Sequence, residues 1–132
     1  PLTIEVWQEY VKSLIASGKF NPDKQLLILD GIPRNAAQVD LLNPYIDPVR
    51  VVVLEVPDKE ILIERLIRRG QIEGRSDDQK REVLETRMRV YEERTAEVVS
   101  HYPKEIICRV RADQKRLQVL RDLLECIADQ VP

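Results

Sequence analysis

The run LLILDGIPR, residues 26–34, constrains the fold more than any other stretch of this chain. An apolar, branched segment stops at Asp30-Gly31 and is followed by Pro33-Arg34. Such a run reads as a buried strand over 26–29 that ends abruptly and delivers one carboxylate and one guanidinium to its C-terminal end. In open α/β sheets that edge is where ligands bind. An acid able to hold a hydrated magnesium ion, beside an arginine able to grip an anion, points to nucleotide phosphate chemistry.

The remaining pattern alternates helix and strand. Ile4, Val6, Trp7, Val11, Leu14 and Ile15 recur at helical spacing and predict a helix over 3–17, stopped by Gly18 and Asn21-Pro22. A short helix is expected over 35–42, a second strand over 49–56 and a helix from Asp58 to about 69. The polar stretch 70–78 reads as a loop. A long helix over about 77–102, a third strand over 106–110 and a last helix from Asp113 complete the chain, with Leu117, Leu120, Leu123, Leu124 and Ile127 on its buried side. This order predicts a mostly parallel α/β sheet with flanking helices.

Charge sharpens the reading. Arginines recur at Arg65, Arg68, Arg69, Arg75 and Arg87, yet the 132-residue chain has a net charge of -2. Nucleic-acid binders usually carry a basic excess over a whole face, so no nucleic acid is expected, and the local positive charge suits a small polyanion. No apolar run approaches a membrane span, so no membrane partner is expected either. Cys108 and Cys126 form no metal or redox spacing and read as reduced core residues, which fits a reducing compartment. The lone His101 sits beside Tyr102-Pro103 and reads as a helix-end residue.

Several motifs in order resemble one family. LLILDGIPRNAAQ resembles the DG-(F/I/Y)-PR strand and following glutamine of the adenylate kinases, within the nucleoside monophosphate kinases. ERLIRRGQIEGRSDD is similar to that family's short lid, TRMRVYEERTAEVVSHY to the helix after it, and VRADQKRLQVLRDLL to the closing adenine loop and helix. The start, PLTIEV, resembles the end of the monophosphate-binding arm. The resemblance implies a P-loop kinase-like three-layer fold. Residues 1–132 would be the C-terminal portion of the domain, with the lid at about 70–78. The family's first strand, its phosphate-binding loop with the lysine and its first helices have no counterpart here. No G-x-x-x-x-G-K-S/T occurs, and Ser17-Gly18-Lys19 only echoes its end.

The resemblance also implies roles. Arg34 and Arg87 would hold the acceptor phosphate, and Leu2, Trp7, Gly31 and Gln38 would line the AMP site. Arg69 and Arg75 would clamp the donor and transferred phosphates, with Arg75 shared by the AMP site. Arg65 would stack on the donor adenine, with Ala112 and Gln114 in the ATP-binding loop. Asp30 would hold Mg2+ through water, and Asp77 and Asp78 would orient lid arginines. Together Arg69, Arg75, Arg87 and Asp30 would form the catalytic set. No structural zinc is expected, since the lid has no cysteine cluster. Read singly, each arginine is an ordinary exposed helix residue, and Trp7 serves as well as a core aromatic. The ordered set carries the reading.

Departures shape the alternatives. Ala112 stands where the family has glycine, and one extra residue lies between Asp78 and Arg87. Asn35 matches uridylate–cytidylate kinases, whereas Gln38 matches the adenine-reading glutamine and outweighs it. The implied function is phosphoryl transfer from ATP to AMP giving two ADP, in the cytoplasm and in nucleotide biosynthesis, with this chain alone inactive. The alternatives are a non-catalytic nucleotide-binding or regulatory module and a UMP/CMP-type kinase. In the family's fold the absent strand lies between the strands at 26–29 and 49–56. These two are therefore expected to pair abnormally, to borrow a strand in a dimer, or to flank an empty slot.

Overall fold

A computed structural model describes residues 2–74 and 80–132. Helix α1 spans Leu2–Ala16 and buries Ile4. Helix α2, Ala36–Leu42, is capped by Asn35, whose side chain accepts from the Gln38 N–H, and it buries Val39 and Leu42. Strand β1 spans Val51–Glu55. Helix α3 spans Lys59–Glu73 and is capped by the Asp58 carboxylate, which accepts from the Glu60 N–H. Helix α4 spans Arg81–Ser100, strand β2 Ile107–Arg111 and helix α5 Arg116–Ile127. Single 3-10 turns at Lys104–Ile106 and Ala128–Gln130 flank the last strand and helix.

Strands β1 and β2 pair in parallel, Val51 opposite Ile107 through Glu55 opposite Arg111. The helices α3 and α4 form the crossover between them, as a parallel connection requires. Helix α1 packs on α2, α2 on α4, and α3 on α4. Ile63, Leu84 and Met88 form the centre of the α3–α4 contact, with Leu62, Leu66 and Ile67 packed around it. The fold class is thus α/β, a parallel sheet with flanking helices.

Four expectations need correction. Residues 26–29 are not a paired strand: the sheet contains β1 and β2 only among the described residues, and Ile28 is 73% exposed. Branched apolar residues favour extended backbone, but a strand exists only where a neighbour completes its hydrogen-bond ladder. The segment and β1 are not paired with each other.

Second, α3 does not stop near Arg69. It runs through Gly70, which is buried, to Glu73, so the first four residues of the expected lid are helical. Gly74 ends it in the left-handed region at φ 67° and donates its N–H to the Gly70 carbonyl. That conformation costs glycine nothing and any other residue a steric penalty. The rest of the expected lid, and the expected start of α4 near 77, lie outside the described residues but for Lys80.

Third, α5 begins at Arg116 rather than Asp113, and no residue of it is buried. Leu117 is 79% exposed, and Leu120 and Leu124 are half-exposed, although the periodicity places all three on a buried side. An amphipathic stripe is covered only when an element lies over it, and α5 rests on β2 by another side. Fourth, Cys108 and Cys126 are not free thiols but a disulfide, joining β2 to α5 with their Cα atoms 6.1 Å apart. Nearby, Arg50 reaches both Asp129 oxygens at 2.9 Å and fastens the final turn to the start of β1.

Candidate functional site

The first cluster is the turn between the extended segment and α2. Gly31 has φ +83°, in the left-handed region, and the Ile32–Pro33 bond is cis. Arg34 folds back so that its Nε donates to the Gly31 carbonyl at 2.7 Å, while its backbone N–H donates to Gln38 Oε1 at 2.7 Å. Asn35 Oδ1 accepts from the Gln38 N–H at 3.0 Å. Gly31, Arg34 and Gln38 thus come together at the N-terminal end of α2. The turn holds the Arg34 side chain by its Nε edge, and the residue stays exposed. Asp30 is exposed at the same turn.

The family resemblance makes Asn35 a substrate-specificity position. Its side chain is spent on the α2 cap, a role that asparagine fills well and that needs no ligand. The signal for that capping role is its place just before an apolar helix.

The left-handed turn gives a local test. A Cβ built on Gly31 would sit 3.3 Å from Arg34 Nη2. Gly31→Ala is therefore expected to destabilise the chain by about 1–2 kcal/mol through the positive φ and to displace the Arg34 guanidinium. Chemical denaturation would show the first effect and the loss of the Arg34 Nε–H resonance position the second. An unchanged resonance would contradict this geometry.

The second cluster lies at the carboxyl ends of β1 and β2. Arg65, on α3, donates Nη1 to the Ala112 carbonyl, and the Ala112 N–H donates to the Glu55 carbonyl at 2.8 Å. Arg109 pairs with Glu55 across the strands. Gln114 donates Nε2 to the Arg111 carbonyl at 3.0 Å and to the Asp122 carboxylate on α5. The structure therefore brings together Arg65, Ala112 and Gln114, three of the four residues expected at the donor nucleotide. The fourth, Arg69, is exposed one helical turn beyond Arg65. No sequence signal showed that Arg65 would reach a carbonyl 47 residues away.

Electrostatics follow the same bonds. The Arg111 guanidinium, followed by weaker effects that include the Arg65 charge, holds the Asp113 carboxyl below its ordinary value. Gln114 first, then Arg121, does the same for Asp122. A depressed carboxyl contributes its stabilisation above the unfolded value and loses it as pH falls through the folded one. The Gln114 side-chain amide resonance is thus expected to move on acidification with a midpoint below the ordinary aspartate value of about 3.9. Movement centred above pH 4 in a proton NMR titration would contradict the Gln114–Asp122 bond.

The other expected residues are dispersed. Trp7 is half-buried and Leu2 is 72% exposed on α1, and Arg87 is exposed on α4. Arg75, Asp77 and Asp78 lie outside the described residues. Among the described residues, no group of three or more His, Cys, Asp and Glu side chains is arranged to hold a metal, and no helix is long and apolar enough to cross a membrane. A groove of about 510 Å³ between α3 and α4, lined by Lys59, Glu60, Ile63, Glu82, Met88 and Arg89 among others, contains none of the candidate residues.

The chain is similar to an adenylate kinase of Thermus thermophilus, at 32% identity over 79% of this chain and 71% of that protein. It is 39% identical to the adenylate kinase of Micrococcus luteus, over 76% of this chain and 51% of the relative. A Synechococcus sp. adenylate kinase matches at 39% identity over 74% of this chain and 55% of its own length. The chain thus spans from about half to 71% of the length of these three relatives. No family model matches it.

Proposed function

Because the chain belongs to the adenylate kinase family, we propose that it carries the acceptor-phosphate turn, the lid arginines and the adenine loop of an enzyme that moves a phosphoryl group from ATP to AMP, giving two ADP. The observation that carries this reading is the 30–38 turn, where Gly31, Arg34 and Gln38 converge at the start of α2. Phosphoryl transfer asks the protein for positioning and charge neutralisation more than covalent chemistry.

Arg34 and Arg87 hold the acceptor phosphate, since a planar guanidinium takes two oxygens at once. Arg69 and Arg75 neutralise the donor and transferred phosphates. Gln38 keeps its NH2 end for the acceptor adenine while its Oε1 is held by Arg34. Leu2 and Trp7 add apolar contact to that base. Arg65, Ala112 and Gln114 form the donor-adenine loop.

Mg2+ takes one or two carboxylates, several waters and substrate phosphates, so the single exposed carboxylate of Asp30 fits a water-mediated role. When bound, the ion would neutralise charge on the donor phosphates. A UMP/CMP-type kinase is the weaker reading, because Asn35 is occupied as a helix cap. The parent enzyme serves nucleotide biosynthesis in the cytoplasm, a compartment where disulfides are rare and usually catalytic or redox-sensing.

Calorimetric titration of the chain with AMP and with ATP tests the assignment. Arg34→Ala is expected to weaken AMP binding by about 10- to 100-fold, and Arg34→Lys to recover only part of it, with ATP binding unchanged in both. Equal AMP affinity in Arg34→Ala and the parent chain would refute the acceptor role.

A further inference from the structure

We infer that the Cys108–Cys126 disulfide positions the turn at Ala112–Gln114, so that thiol–disulfide exchange at this pair tunes how well the turn holds adenine. The inference rests on the reading of that turn as the donor-adenine loop.

Apart from the disulfide, α5 is tied down lightly. No residue of the helix is buried, and Leu117, Leu120 and Leu124 face solvent. Its main packing is against β2 and the 3-10 turn that follows it, joined by the bond from Gln114 to Asp122, while Arg50 holds Asp129 in that turn. The Gln114–Asp122 bond is part-buried, and Arg50, its side chain mostly covered, holds both Asp129 oxygens, so each is a real tie, but each is made by a single residue.

The disulfide differs in kind. Cys108 lies in β2, just before the strand ends at Arg111, and Cys126 lies in the last turn of α5. The bond closes a loop across 18 positions, and that loop contains the whole adenine turn. It therefore fixes the far end of α5 on the strand, which keeps Asp122 within reach of Gln114. Gln114 in turn holds the Arg111 carbonyl, and Ala112 is held between Glu55 and Arg65. Without the disulfide the far end of α5 is held through the Arg50–Asp129 pair and its packing on β2 alone, and the Gln114–Asp122 bond loses part of its restraint.

Both cysteines are half-buried rather than enclosed, so a dithiol reductant can reach the pair. The reductant supplies two electrons and two protons. The Sγ–Sγ bond breaks, each sulfur leaves as a thiol, and the reductant closes its own disulfide.

The test compares the air-oxidised chain, the dithiol-reduced chain and the Cys108→Ser/Cys126→Ser double variant. Thiol titration in denaturant should find no thiol in the first and both in the second. Amide exchange over residues 112–119 should quicken about tenfold on reduction while α1 and α2 hold their rates. The double variant should match the reduced chain and ignore reductant. ATP affinity should fall about five- to tenfold on reduction, with AMP affinity unchanged. Free thiols in the oxidised chain, unaltered exchange, or a uniform rise across every helix would overturn the inference. The last would mark a general staple instead. If ATP binds in neither state while exchange changes locally, the positioning of the turn stands and the donor-adenine reading falls, together with the tuning.

Discussion

In a coupled assay with Mg2+, ATP and AMP, the chain alone is expected to leave ADP formation at background, whereas the chain joined upstream to a strand and a G-x-x-x-x-G-K-S/T loop is expected to turn over at least about 10⁴-fold faster. The reason is the location of charge. The arginines proposed at the phosphates lie on α3, on α4 and in the 30–38 turn, with Arg75 between α3 and α4 in the sequence. Among the described residues none of these has the sequence of a glycine-rich loop at a helix start, which supplies a run of backbone N–H groups to the β- and γ-phosphates. The Ser17-Gly18-Lys19 echo follows α1 rather than a strand, so it cannot act as that cradle. Activity confined to the joined form would establish that the transfer machinery is present and lacks only the cradle. Silence in both forms, with AMP still bound, would favour a non-catalytic nucleotide-binding module. Turnover by the chain alone would refute the proposal that the cradle is required.

Leu84→Ala is expected to lower stability by about 3–4 kcal/mol. Leu84 is fully buried in α4, against Ile63 of α3 and beside Met88 one turn on. Truncation removes apolar contact and leaves a cavity that two rigid helices cannot close. Urea unfolding followed by circular dichroism would read this as a lower midpoint at unchanged slope. Leu117→Ala is the matched control: the same change at a 79% exposed position should shift the midpoint by less than about 0.5 kcal/mol. Similar losses at both positions would mean that α5 is covered in solution.

Local chemistry was legible in the sequence, and partnership was not. Asp58 at the start of α3 and the apolar run that became β1 declare themselves through neighbours a few residues away. The 30–38 turn does too, because Gly31, Pro33, Arg34 and Gln38 act within a single bend. Residues 26–29 carry the same branched signature as β1 but have no ladder, since pairing depends on a second segment. Leu117, Leu120 and Leu124 show a correct helical stripe, and periodicity says which side is apolar without saying what covers it. Gly70 looks like a break because glycine weakens helices, yet it is buried within α3 and the stop comes at Gly74. The cysteines mislead for the same reason: a separation of 18 carries no information until β2 and α5 are laid side by side.

The β1–β2 pairing has a kinetic corollary. Val51 meets Ile107 only after everything between them has been brought round, so the strand pairing closes a long loop and carries a large entropy cost. The α3–α4 hairpin lies wholly within that loop and is built from near neighbours. It can form on the fast timescale of helical pairs and shorten the effective loop before the strands meet. Folding of this chain is thus set to proceed from the helices to the sheet, with the strand pairing, and the turn at its carboxyl end, assembled last.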